Sequence, residues 1–185
     1  MRFDGKIAIV TGGALGMGRA TALAFLREGA RVVVGDVDEA AGKSLAQEAG
    51  DRLVFQPCDM SQEADVEALV ATAVKRFDRL DAMFNNAGIE QPVTPSHELT
   101  EELFDQVISI NLKGVFFGCK HAIRAMLQNG GGAIVNNSSV SAFANVGGNL
   151  SYASSKGGIM SMTRVLAIEY ATRGIRVNAV NPGVI

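Results

Sequence analysis

From one end to the other, the chain alternates short apolar runs bounded by turn residues with longer segments of helical period. That alternation is the pattern of a parallel sheet with helices wound over both faces. Strands are expected over residues 7–11, 31–36, 53–56, 82–85, 133–137 and 176–181, and helices over 16–28, 39–49, 62–77, 101–127 and 152–171. Asp38 and Ser61 stand ahead of acidic first turns and read as helix caps. With right-handed crossovers the strands take the order 3-2-1-4-5-6. Ligands then belong at the carboxyl ends of the first and fourth strands, where that order reverses.

Apolar residues make up 48% of the sequence with only 6% aromatic, and the abundance of Ala, Val, Ile and Gly suits buried parallel strands closely covered by helices. The 185 residues suffice for one domain, read as 1–185, with no internal repeat or linker. A formal charge of -2 gives no basic footprint for nucleic acid. The start, from Met1 to Lys6, has no apolar signal core and no stretch approaches a membrane span, so a cytoplasmic protein is expected. Cys58 and Cys119 show neither metal-site nor redox spacing and read as buried or idle thiols, and no His/Asp/Glu cluster has metal-ligand spacing.

Gly12, Gly16 and Gly18 fall between the first strand and the first helix, where bare backbone can approach a pyrophosphate and helical N–H groups can point at it. Asp36 ends the second strand, where a carboxylate can accept hydrogen bonds from ribose hydroxyls and repel a 2'-phosphate. Farther along, Tyr152 and Lys156 stand one helical turn apart on one face. A free phenol ionises at roughly pH 10. An ammonium about 5 Å away, at an effective dielectric of about 20, favours the phenolate by about 3 kcal/mol, within reach of general acid/base work. Ser139 closes the fifth strand at the same sheet edge as the glycine loop. Asn111 is an amide inside an otherwise apolar helix face, costly unless it finds partners.

The G-x-x-x-G-x-G loop together with Ser139 and Tyr152-x-x-x-Lys156 resembles the short-chain dehydrogenase/reductase family, whose members use NAD(P) to reduce carbonyls or oxidise alcohols. The resemblance implies a Rossmann-type α/β fold and an oxidoreductase moving hydride between NAD(H) and a secondary alcohol or ketone. It assigns Ser139, thirteen residues before Tyr152 where Ser138 is fourteen, to the substrate oxygen, and Tyr152 to proton transfer. Lys156 serves both Tyr152 and the nicotinamide ribose, and Asn111 holds a water linking Lys156 to solvent. Cofactor contacts are implied for Gly12, Gly16, Met17, Gly18, Asp36, Val37, Asp59 and Met60. The Asn86-Ala87-Gly88 turn joins them, in a role both structural and cofactor-lining, with Tyr152, Lys156, Pro182, Gly183 and Val184.

Asp36, with Leu15 and Val37 where NADP-preferring relatives often carry Arg or Lys, points to NAD, and on the same ground away from a 3-oxoacyl substrate. The loop over residues 141–149 is expected to line the pocket, with Asn145 and Asn149 able to meet a substrate hydroxyl. Family members continue beyond the sixth strand, so the chain reads as C-terminally incomplete relative to them. A homo-oligomer is expected, a dimer through the two long helices, or a tetramer if a tail is present. The alternative is a non-catalytic NAD-binding or oligomerisation module.

Overall fold

The computed structural model describes residues 1–145 and 147–184; Val146, within the loop expected to line the pocket, and Ile185 lie outside the described residues. Six strands, β1 (Ile7–Thr11), β2 (Arg31–Asp36), β3 (Leu53–Pro57), β4 (Ala82–Asn85), β5 (Gly132–Asn137) and β6 (Ile175–Val180), form one parallel sheet. Their order is β3-β2-β1-β4-β5-β6, as the sequence pattern implies. The central strand β1 is buried throughout, and its alternate residues serve two layers. Ile7 and Ile9 pack with Leu69, Met83, Ile134 and Ile159, beneath α3 (Glu63–Phe77), α5 (Gly114–Gln128) and α6 (Leu150–Tyr170). Val10 packs with Ala22, Leu26 and Leu45, beneath α1 (Gly16–Arg27) and α2 (Glu39–Ala49). Burial of Ile9 or Val10 contributes about 2 kcal/mol each.

Of the two expected caps, Asp38 accepts from the Ala41 N–H at 2.9 Å. Ser61 does not cap α3, which is entered from Gln62 without a side-chain bond. One of the two acids in the first turn of that helix, Asp65, instead accepts from the Asp59 N–H at 3.0 Å and ties the preceding loop to it.

The long helix expected over 101–127 is broken. It runs as α4 (Glu101–Ile108), a π turn (Ser109–Lys113) and α5. A π turn carries one residue more than a helical turn, and it rotates Asn111 into the interior, where it is fully buried. The amide is matched there: it accepts from the Ile89 N–H and donates to the Ile89 carbonyl, both at 2.8 Å. Helix α6 begins at Leu150, two residues before Tyr152, so the tyrosine sits inside its first turn. No helix of the described residues is long and apolar enough to cross a membrane.

Candidate active site

A cleft of about 370 Å³ opens at the carboxyl ends of β1 and β4. Gly12 takes φ 59°, and a Cβ there would lie 2.8 Å from the Ala87 Cα, so the loop lies directly against the turn after β4. Gly18 faces the Gly12 carbonyl with no room for a side chain. Gly16 takes φ 53° with open space around it. Helix α1 has no side-chain cap and no acid in its first turn, which leaves its leading N–H groups available to an anion.

Asp36 lines the cleft, with Val37 beside it 71% exposed. Its carboxylate already accepts from two backbone N–H groups, Ala14 at 3.0 Å and Asp38 at 3.1 Å, and retains lone pairs for a ligand hydroxyl. Asp59 accepts from the Ser61 N–H at 2.8 Å, and Met60 is buried beside it. Met17, Gly18, Asn86, Ala87 and Gly88 complete the expected part of the lining.

A second cavity, of about 490 Å³, is lined by Ser139, Tyr152, Lys156, Pro182, Gly183 and Val184, and Met17 belongs to both. Lys156 is 4% exposed, donates to the Asn137 carbonyl at 2.8 Å, and holds its Nζ 5.4 Å from the centre of the Tyr152 ring. Burial pulls its ammonium down to about 8, against the opposing pull of the Glu90 carboxylate, which lines the same cavity. Ser138 donates to the Lys156 carbonyl at 2.9 Å and is thereby committed to anchoring α6. The Ser139 oxygen accepts from the Ser141 N–H at 3.1 Å, which leaves its own O–H to donate.

The two cavities are connected by carboxamides. Asn86 donates to the carbonyls of Thr11 and Gly12 at 3.0 and 3.1 Å. Asn137 donates to Asn86 at 3.1 Å, and its carbonyl receives Lys156. The lysine is thus referenced to the glycine loop through the two carboxamides of Asn86 and Asn137 and the Asn137 main-chain carbonyl. Asn111 lines neither cavity. It stands behind Gly88, both of its carboxamide N–H groups taken by the Ile89 carbonyl and, at 3.3 Å, by Ser155. Asn145 and Asn149 are likewise outside the lining of the second cavity, to which Val140 and Ser141 contribute instead. Both cysteines are buried free thiols, pushed up to about 12 by burial.

Four contributors carried no usable sequence signal. Thr11 accepts from the Asn86 and Ala87 N–H groups through its hydroxyl, and Asn137 acts through its carboxamide and its main-chain carbonyl together. Glu90 and Gln91 follow the Asn86-Ala87-Gly88 turn in a stretch without secondary structure. Their proximity to α6 exists only in the folded chain.

Comparison with known proteins agrees with this geometry. The profile of the short chain dehydrogenase family matches residues 6–185. Levodione reductase of Leifsonia aquatica is 41% identical over 189 residues, covering 100% of this chain and 71% of its own length. The mitochondrial borneol dehydrogenase of Lavandula x intermedia is 39% identical over 98% of this chain and 70% of its own. The crystal structure of 3-ketoacyl-(acyl-carrier-protein) reductase from Brucella melitensis, complexed with NADH, superposes with a TM-score of 0.95 at 35% identity, over 98% of this chain and 76% of that one. The chain thus spans about seven tenths to three quarters of the length of these relatives. It belongs to the short-chain dehydrogenase family of oxidoreductases.

Proposed function

We propose that this protein is an NAD-dependent oxidoreductase acting on a secondary alcohol or its ketone, with Tyr152 as general acid and base. The observation that carries the reading is the cavity in which Ser139, Tyr152 and Lys156 meet, adjoining through Met17 the glycine-loop cleft. The cleft fits a dinucleotide: the uncapped start of α1 suits a pyrophosphate, Asp36 suits ribose hydroxyls, and no cation stands at Leu15 or Val37 for a 2'-phosphate. When bound, the nicotinamide gives or takes the hydride at the substrate carbon.

The protein's own residues handle the oxygen. Ser139 donates a hydrogen bond to it. In reduction Tyr152 delivers its phenolic proton as the carbon gains hydride, and in oxidation the phenolate removes the alcohol proton. The Lys156 ammonium, fixed on the Asn137 carbonyl, opposes the negative charge left on Tyr152. Reprotonation from solvent follows a water held at the π turn by Asn111. Because both carboxamide N–H groups of Asn111 are engaged, an oxygen of that residue must hold the water.

The functional test is nicotinamide absorbance in the full-length protein with NAD and a panel of secondary alcohols. Turnover of at least one alcohol is expected. Stoichiometric NAD binding without turnover of any would favour a non-catalytic nucleotide-binding module.

A further inference from the structure

We infer that Gln91 is a positioning residue for Tyr152, supplying from a distant loop the N-terminal cap that the catalytic helix lacks. The inference rests on the acid/base reading of Tyr152. Helix α6 is preceded by Asn149, whose side chain makes no capping bond. The acceptor that an N-cap would offer to the second and third helical N–H groups comes instead from the Gln91 side-chain oxygen. It accepts from the Ser151 N–H at 2.8 Å and the Tyr152 N–H at 3.2 Å, and from the Ser151 hydroxyl. The Gln91 amide nitrogen donates to the Gly148 carbonyl at 3.1 Å, tying down the chain that leads into the helix.

Gln91 is buried, 9% exposed, and its own segment is pinned two residues earlier by Asn111 on the Ile89 backbone. The cap is therefore rigid. One turn farther in, Lys156 is held independently, by the Asn137 carbonyl and by Ser138. Loss of the cap frays the first turn and displaces Tyr152 while Lys156 stays, so the separation of the pair is the quantity that Gln91 sets.

The test uses the full-length protein with Gln91→Met, which keeps the side-chain length and removes the acceptor. Amide hydrogen exchange at Ser151 and Tyr152 reads the cap, and the pH profile of kcat for alcohol oxidation reads the pair. Among the described residues, the charged groups lining the cavity with Tyr152 are Lys156 and Glu90, both unchanged in this variant. Exchange at both amides should accelerate by about tenfold, in keeping with a lost cap. The acid limb of the profile should move to higher pH, because a more distant ammonium favours the phenolate less.

Unchanged exchange, or a profile superimposable on that of the unsubstituted protein, overturns the inference. Should Gln91→Met not fold, Gln91→Glu keeps the acceptor oxygen. Its exchange at the two amides is expected within about threefold of the original, and acceleration as large as a lost cap brings, about tenfold, overturns the inference. Faster exchange in Gln91→Met, with no turnover by the unsubstituted protein, would leave Gln91 as the cap of α6 and sink the acid/base reading of Tyr152 instead.

Discussion

Lys156 supports the proposed chemistry and weakens the fold. Its ammonium is pulled from 10.5 to about 8 by burial, so in the cofactor-free protein the folded state binds its proton less tightly than the unfolded chain does. The penalty, about 3 kcal/mol, is fully present below pH 8 and is relieved as pH rises from there toward 10.5, where both states are neutral. The unfolding free energy of the protein, measured against Lys156→Met to cancel other groups, should therefore gain on the variant between pH 7 and pH 10 by about 3 kcal/mol. A difference flat in pH would mean that the lysine is not desolvated. At the cofactor end, Asp36→Ala with Val37→Arg removes the carboxylate and supplies a cation, and the NADP/NAD ratio of kcat/KM should rise by about tenfold or more, or about 1.4 kcal/mol. An unchanged ratio places the discrimination elsewhere. Residues defined by spacing within one segment, such as Tyr152 and Lys156, were legible in the sequence. Spacing favours Ser139 over Ser138, and the geometry points the same way, since Ser138 is engaged with the Lys156 carbonyl. The double duty of Asp36, which also holds the Ala14 N–H, was not legible, because it depends on how the glycine loop folds back.

At the scale of elements, helical period located all the major helices but could not show where one breaks. The π turn at Ser109–Lys113 inserts one residue into a long apolar pattern, and its cause, the Ile89 backbone waiting for the Asn111 amide, lies more than twenty residues away. Caps divide in the same way: Asp38 acts locally as its position suggests, whereas α6 takes its cap from another segment. Between α5 and α6 a groove of about 450 Å³ is bordered by Phe116, Ile123, Leu127, Met162, Leu166 and Tyr170, together with the charged Lys120, Arg124 and Glu169. Phe116, Val165 and Ile168 on these helices are 46%, 59% and 81% exposed. Gly157 on α6 has nothing within 4 Å of where a Cβ would stand, whereas Gly158 is packed on Leu112. We expect a second copy to cover this face. Gly157→Glu, which meets no obstacle within one protomer, should lower the mass seen by light scattering to that of a monomer; an unchanged oligomer would assign the contact to another surface.

Across the whole molecule, the sheet order follows from the alternation of strands and helices, and it brings the two cavities to one edge. The chain of bonded groups from Thr11 through Asn86 and Asn137 to Lys156 makes that edge one unit, so the position of the lysine depends on the glycine loop as well as on its own helix. Substrate identity was not legible, because the second cavity draws its lining from segments far apart in sequence, from Met17 to Val184. In the proposed reaction Tyr152 carries the proton. Its removal is read with Tyr152→Phe in the full-length protein, under conditions in which the unsubstituted protein oxidises an alcohol, with kcat and the NAD dissociation constant measured together. A loss of about 10²–10⁴-fold in kcat is expected, as for removal of a general acid or base, with NAD affinity held within about threefold. Turnover close to that of the unsubstituted protein would contradict it.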